Sequence, residues 1–263
     1  MTLPRVVRPE ILDGLDPADP AAVRSRRDLV RVHLAMGTRR ALARALAGPP
    51  RAPSRPSGPD AATRAAPLDV LELGGGDGTL TLALARRVAR AWPPVRLTLL
   101  DRVDVVSAAT RAGYAALGWE IEVLRADVLE WAEPAAEGDD PSGPTRRRDL
   151  VLASLFLHHF EGEALRRLLG AVAARTDRLV AFEPRRSGLA LAGSRLIGAL
   201  GANAVTRSDA VASVRAGFRG GELAALWPAR GWHLDERPSP PFGHLLDARR
   251  DGACRAQVPS GAT

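Results

Sequence analysis

The chain has 263 residues, 46% hydrophobic and 25% charged, a composition that excludes a wholly disordered protein and fits one large domain or two small ones. Its 37 basic residues exceed 30 acidic ones to give a net charge of +7, and every basic residue is arginine. A lysine-free chain rich in Ala, Arg, Gly and Pro reads as a product of GC-biased coding, and with aromatics at 4% it lacks the aromatic and basic interleaving of a nucleic-acid binder. The single Cys254 excludes an intramolecular disulfide framework and a multi-cysteine zinc site. No apolar run approaches the roughly 18 residues of a membrane span, and MTLPRVVRPEILDG has no apolar core of a secretory leader. A cytoplasmic protein without stable membrane insertion is expected.

In chain order, residues 1–47 predict an N-terminal helical cap. Residues 21–46 read as two helices broken at Gly37-Thr38, with Thr38 as N-cap of the second. Leu29, Val32, His33 and Met36 share one face at helical spacing; Arg24, Arg27 and Arg31 share another, which reads as a solvated face or as a contact for an anionic membrane or an acidic ligand. Residues 48–66 are dense in Pro, Gly and Ser and read as a linker, 133–148 as a second such loop, and 251–263 as a disordered tail. The main domain then spans 67–250. Strands are expected at 68–73, 95–100, 121–125, 150–153 and 179–182. Helices are expected at 79–90, at 103–117 and through Leu165, Leu168, Leu169 and Val172. This alternation predicts an α/β, doubly wound parallel sheet with helices on both faces. Further helices at 187–200 and 222–229 lead to two strands, 232–236 and 244–247, around the turn-rich RPSPPFG. They predict a closing antiparallel hairpin and seven strands in all.

The stretch VLELGGGDGTL, residues 70–80, carries the chemistry. It is a strand, a glycine-rich turn and a helix start. Glycines let backbone approach a ligand closely, and the helix start offers unpaired N–H groups. The spacing Gly74-x-Gly76-x-Gly78 after acidic Glu72 is not the G-x-G-x-x-G of a dinucleotide turn, since Thr79 stands at the last position. Nor is it a phosphate-binding G-x-x-x-x-G-K loop.

The pattern E/D-x-G-x-G-x-G after the first strand resembles class I S-adenosylmethionine-dependent methyltransferases. Three further features agree with that Rossmann-like family: Asp101 ending the second strand, Asp127 in ADVLEW after the third, and DLVLASLFLHHF as the fourth strand and its turn. The resemblance covers residues 66–185. It implies S-adenosyl-L-methionine as cofactor, held by Glu72, Gly74, Gly76, Gly78, Asp101, Arg102, Asp127, Val128 and Ser154. In the family the position of Asp101 binds both ribose hydroxyls and that of Asp127 lies near the adenine amino group. Asp77 reads either as part of this loop or as a cap of the next helix.

After the fourth strand the chain has Ala153-Ser154-Leu155-Phe156. It lacks the acidic pair of the spermidine-synthase-like enzymes, the N/D-P-P-Y/F motif of nucleic-acid amino methyltransferases and the paired glutamates of protein-arginine methyltransferases. LFLHHF instead resembles the quinone and polyketide branch, which implies a small-molecule acceptor and offers His158 and His159 as candidate catalytic bases. Residues 183–227 resemble a bacterial group encoded beside type III polyketide synthases and flavin oxidoreductases. Arg186-Ser187, Val205-Thr206-Arg207, Asp209, Ser213-Val214-Arg215, Phe218 and Glu222-Leu223 keep its pattern; Glu183-Pro184 and Ser208 depart from it. Arg207 and Arg215 read as partners of an acidic acceptor or as salt bridges holding the cap. The expected activity is methyl transfer to a phenolic, quinone-like or polyketide-derived molecule. The alternatives are an RNA or protein methyltransferase and a non-catalytic cofactor-binding scaffold. No metal ligand set is apparent, so no metal is expected, and the sequence leaves the oligomeric state open.

Overall fold

Three helices open the chain: α1 (Ile11–Gly14), α2 (Pro20–Met36) and α3 (Thr38–Ala45). The computed structural model describes residues 3–48, 67–134 and 146–252. The expected linker from residue 49 on, residues 135–145 of the second loop, and the tail from 253 with Cys254 lie outside them. Asp19 starts α2 by accepting the Ala21 N–H, with Pro20 at the first helical position, where its missing N–H costs nothing. The helix stops at Gly37, which is left-handed at φ +69° and whose N–H closes on the carbonyls of His33 and Leu34. Gly37, rather than Thr38, therefore occupies the N-cap position of α3. A one-residue break leaves no extended residue between the helices to carry a side-chain cap, and the Thr38 hydroxyl is buried without a hydrogen-bond partner.

Strands and helices then alternate as β1 (Leu68–Leu73), α4 (Thr79–Val88), β2 (Val95–Asp101), α5 (Ala108–Ala115), β3 (Trp119–Arg125), α6 (Val128–Trp131), β4 (Leu150–Ser154), α7 (Gly162–Arg175) and β5 (Arg178–Pro184). The chain continues through α8 (Gly188–Leu196), α9 (Ala204–Ala216), β6 (Trp232–Ser239) and β7 (Gly243–Arg250). The sheet order is β3-β2-β1-β4-β5-β7-β6. The first five strands run parallel, and β7 lies antiparallel to both β5 and β6. This is the α/β, doubly wound, seven-stranded sheet with an antiparallel C-terminal hairpin. The order reverses between β1 and β4, so the carboxyl ends of those strands open a crevice.

Central strands covered on both faces are mostly apolar, and β5 is buried at every position, with charged Arg178 and Glu183 confined to its two ends. One apolar layer joins Leu71, Leu73 and Val151 to Leu165, Leu168, Leu169 and Val172 of α7; the other joins Val70, Leu97 and Leu99 to Leu42, Leu84 and Tyr114. The opposite ends of the strands are held by charge. Arg178 forks onto Asp247 at 2.9 and 2.7 Å and donates to the Ala45 carbonyl of α3 at 2.6 Å. Fully buried Arg148 donates to Asp69 at 2.9 Å and to the Thr98 hydroxyl at 3.0 Å.

Three local expectations change. The helix expected at 103–117 shrinks to α5, because the Asp104 carboxylate accepts the Val106 N–H in a turn and Ser107 caps by accepting the Thr110 N–H. The segment 222–229 forms only a 3₁₀ turn, Ala224–Leu226, with Pro228 following it. Helix α9 was not expected, since the residues it buries include Thr206 and Asp209 and leave no apolar stripe. Among the described residues no helix is long and apolar enough to cross a membrane.

Candidate active site

The turn after β1 is shaped by its surroundings. Gly74 sits at φ +68°, and a Cβ there would come within 2.3 Å of the Phe156 ring; Gly76 and Gly78 also have positive φ, +53° and +71°. The Gly74 and Gly75 N–H groups both donate to the Leu100 carbonyl. The Gly76 N–H donates to the Asp101 carboxylate at 2.9 Å, and the buried Tyr114 hydroxyl donates to the Gly78 carbonyl at 2.8 Å. The loop is therefore fixed before any ligand arrives. Asp77 accepts the Thr79 N–H at 3.0 Å, just where α4 begins.

A cavity of about 670 Å³ opens over this turn. It brings together Glu72, Gly74, Asp101, Arg102, Asp127, Val128, Ser154, His158 and His159 of the expected site residues. Gly76 and Gly78 do not line it; they set the backbone course behind it. Glu72 is buried, and its Oε2 has no hydrogen-bond partner. Burial pushes this carboxyl up to about 8, and the charges of Asp77 and Asp101 push the same way. Asp101 also accepts the Val103 N–H at 3.1 Å, so each of its oxygens holds one backbone N–H and keeps lone pairs for the cavity. Asp127 starts α6 by accepting the Leu129 N–H at 2.7 Å. The Ser154 Oγ is buried without a partner. Arg102 lies 3.9 Å from Asp13.

Beyond β4 the chain turns through Leu155, the one described non-glycine residue with positive φ, +54°. Such a backbone is costly for a γ-branched residue, and its neighbours must impose it. The Leu155 N–H donates to the Phe182 carbonyl at 2.8 Å. The buried Glu183 carboxylate then accepts the N–H groups of Phe156, Leu157 and His158 at 3.1, 2.8 and 3.3 Å. It also takes the His158 Nδ1 at 2.8 Å. The other ring nitrogen of His158, Nε2, is 3.3 Å from Glu10. Burial disfavours a charged His158, but its bonds to Glu10 and Glu183 outweigh it and raise the ring to about 9. His158 is thus clamped between two carboxylates, which in the ion-free protein favour a proton on each ring nitrogen.

His159 differs. Its Nδ1 is 3.2 Å from Asp13, while Nε2 lies 4.0 Å from Glu10. Burial works against ionisation of Glu10 and Asp13, yet the two histidines outweigh it and hold both carboxyls below their usual range, with Arg102 assisting at Asp13. Above lies α2, whose Leu29, Val32, His33 and Met36 line the cavity, while Arg24, Arg27 and Arg31 are exposed and do not. Burial, with Arg39 beside it, lowers His33 to about 4, so this ring is neutral.

No family model matches the sequence, and no curated protein matches it. Solved structures do. An O-methyltransferase family protein from Burkholderia thailandensis aligns with a TM-score of 0.53 at 18% identity, over 89% of this chain and 61% of that one. The mitomycin 7-O-methyltransferase MmcR aligns with a TM-score of 0.54 at 22% identity, over 91% and 60%. The plantazolicin methyltransferase BpumL, in complex with a monoazolic desmethylPZN analog and SAH, aligns with a TM-score of 0.54 at 12% identity, over 89% and 91%. The fold is that of the S-adenosylmethionine-dependent methyltransferases. The chain spans less than two thirds of the length of the first two of these proteins.

Several residues of this site escaped the sequence. Glu10 and Asp13 come from the N-terminal segment, 148 residues from His158 in the case of Glu10. They are placed by Asp209, which accepts the Ile11 and Leu12 N–H groups at 2.8 and 3.0 Å, and by the Ser213 hydroxyl, which donates to Glu10. The Asp209 and Ser213 side chains hold the N-terminal segment, and the Arg215 carbonyl accepts the Val6 N–H at 3.1 Å; among the described residues neither the Arg207 nor the Arg215 side chain forms a salt bridge, and both residues are exposed. Ser208 is exposed and stands outside the cavity lining. Arg186 pairs with Glu222 and donates to the Gly217 and Leu3 carbonyls. The available signal was the kept pattern at Asp209, Ser213, Arg186 and Glu222, whose common purpose is to seat the N-terminus.

Glu183→Gln should destabilise the protein by about 1.5–3 kcal/mol for each charged hydrogen bond it weakens. An amide cannot accept at both oxygen positions, so either the Phe156 and Leu157 N–H groups or the His158 N–H and ring lose their acceptor. Urea unfolding checks this; a midpoint equal to that of the unmodified protein would show that the turn is held by other means.

Proposed function

We propose that the protein transfers a methyl group from S-adenosyl-L-methionine to a small phenolic, quinone-like or polyketide-derived acceptor. The observation that carries this reading is the pair of carboxyl groups flanking the glycine turn: Glu72 with an unpartnered buried oxygen and Asp101 with spare lone pairs, both on one cavity. They suit the cofactor's cationic ammonium and its ribose hydroxyls. The close-packed turn at Gly74 leaves backbone accessible beside them, and Asp127 and Ser154 offer further polar contacts. When bound, the cofactor supplies an activated methyl group on a positively charged sulfur.

The protein's remaining task is alignment and proton removal. His159 is the residue placed for the second. With Nδ1–H directed at Asp13, its Nε2 lone pair is left to accept a proton from an acceptor hydroxyl. His158 serves instead as a positioning residue, tying the N-terminal segment to β5 through Glu10 and Glu183. Leu29, Val32 and Met36 supply an apolar wall suited to a ring. The names of two structural neighbours, one an O-methyltransferase family protein and one a mitomycin 7-O-methyltransferase, support oxygen as the accepting atom. The exposed arginine face of α2 stands apart from the cavity lining, which favours a small molecule over RNA or a protein as acceptor.

Asp101→Ala should weaken S-adenosylmethionine binding by roughly 10- to 150-fold, with a smaller loss in Asp101→Asn, which keeps one acceptor oxygen. Calorimetric titration decides it, and undiminished affinity in Asp101→Ala would mean that this cavity does not hold the cofactor. Glu72 adds a pH signature. Its carboxyl, at about 8 in the free protein, must ionise to pair with an ammonium. Affinity should therefore rise as pH increases from 5 towards 8, with proton release, and level off above that. Glu72→Gln should flatten the curve. His159→Gln should retain cofactor affinity while slowing labelled methyl transfer to a panel of phenols by about 10²–10⁴-fold; full activity would remove the base role.

A further inference from the structure

The cluster above the cavity floor has a geometry that proton transfer alone does not use. Glu10, His158 and His159 each place one ligand atom within 4.8 Å of the other two. His158 Nε2 lies 3.3 Å from Glu10 Oε1, and His159 Nε2 lies 4.0 Å from Glu10 Oε2. In a tetrahedral zinc site with bonds of about 2.0–2.1 Å, ligand atoms stand about 3.3 Å apart. One separation already has that value, the second, to the other Glu10 oxygen, exceeds it by less than about 1 Å, and the third, between the ligand atoms of the two histidines, lies within 4.8 Å.

The far sides of both rings match as well. A metal-bound imidazole characteristically donates its other N–H to a carboxylate, which fixes the tautomer and aims the free nitrogen. His158 Nδ1 is 2.8 Å from Glu183 and His159 Nδ1 is 3.2 Å from Asp13. Both Nε2 atoms therefore face Glu10, each backed by its own carboxylate. All three side chains line the cavity, so a fourth position opens to solvent or to a small molecule. Glu10 is further steadied by the Ser213 hydroxyl.

We propose that Glu10, His158 and His159 form a binding site for a divalent cation of the zinc type. Two imidazole nitrogens and one carboxylate with an open position suit Zn²⁺, Co²⁺ or Fe²⁺ better than Mg²⁺ or Ca²⁺, which prefer all-oxygen shells. This departs from the metal-free expectation drawn from the sequence, where the adjacent histidines were visible and their distant third ligand was not. An ion here displaces the proton that His158 Nε2 shares with Glu10 and takes the Nε2 lone pair of His159, so ion binding releases a proton and excludes proton abstraction by His159. The site stands independently of the methyl-transfer reading and is tested without cofactor or acceptor.

The experiment titrates the full chain with Co²⁺, followed by visible absorption, and with Zn²⁺ by calorimetry. The expected result is one equivalent bound, with a Co²⁺ band typical of a four- or five-coordinate nitrogen and oxygen site. Glu10→Gln and His159→Gln should each weaken Zn²⁺ binding by about 100-fold or more. Asp13→Asn, which touches no ion and sits on the half-exposed α1, should weaken it by about 10- to 100-fold. Zn²⁺ should raise the melting temperature of the unmodified protein and not that of His159→Gln. Equal Zn²⁺ affinity in the unmodified protein and in folded His159→Gln would overturn the assignment, as would a folded protein that gives no Co²⁺ band. Either outcome would leave the cluster as a hydrogen-bonded clasp alone.

Discussion

One buried carboxylate organises the functional end of this sheet. Glu183, at the C-terminal end of β5, accepts three successive backbone N–H groups and one imidazole nitrogen. Those donors belong to the turn after β4, which must pass through a left-handed leucine to leave the strand. A strained residue of that kind persists only where its surroundings over-determine it, and four convergent donors on one acceptor do so. The same carboxylate then sets the direction of His158, and through it the position of Glu10. Strand, turn, ring and N-terminal segment are thus linked in series.

The arrangement also resolves a charge problem. An unpaired carboxylate as buried as Glu183 would carry a heavy desolvation penalty. It is met by a cationic ring, which is in turn shared with a second carboxylate. The chain Glu183–His158–Glu10 keeps opposite charges adjacent through the interior, and its backbone bonds satisfy the remaining lone pairs. At the other end of the strands Arg148, through one bond to Asp69, and Arg178, through a guanidinium fork onto Asp247, solve the same problem. Between these two polar ends the sheet is aliphatic, so each end keeps its chemistry separate from the other.

Local signals were legible in the sequence and distant ones were not. Strands β1, β2, β4 and β5 stood out as short apolar runs, because burial on both faces demands them. The glycine turn was readable for the same local reason: Gly74, Gly76 and Gly78 all lie within one turn and follow Glu72. Helix α9 was missed because it buries Thr206 and Asp209, and a helix whose inner face binds another segment through polar groups has no apolar stripe to find. Of the two histidines, the sequence showed that they follow β4, but not which one is free. That distinction depends on Glu183 and Glu10, which reach His158 across 25 and 148 residues. Glu183 itself was noticed only as a departure from a familial pattern, and its burial against the β4 turn gives that departure a physical purpose.

The seam between the N-terminal helices and α9 carries a row of polar contacts beside its apolar ones. Asn203 donates to Asp28 and to the Ala21 carbonyl, Ser25 donates to Asn203, and Asp209 holds the start of α1. Hydrogen bonds of this kind exchange with water at little net cost, whereas an apolar seam would expose greasy surface on parting. The roof over the cavity is therefore joined to α9 by bonds whose partners water can replace, while the apolar layers of the sheet beneath have no such substitute.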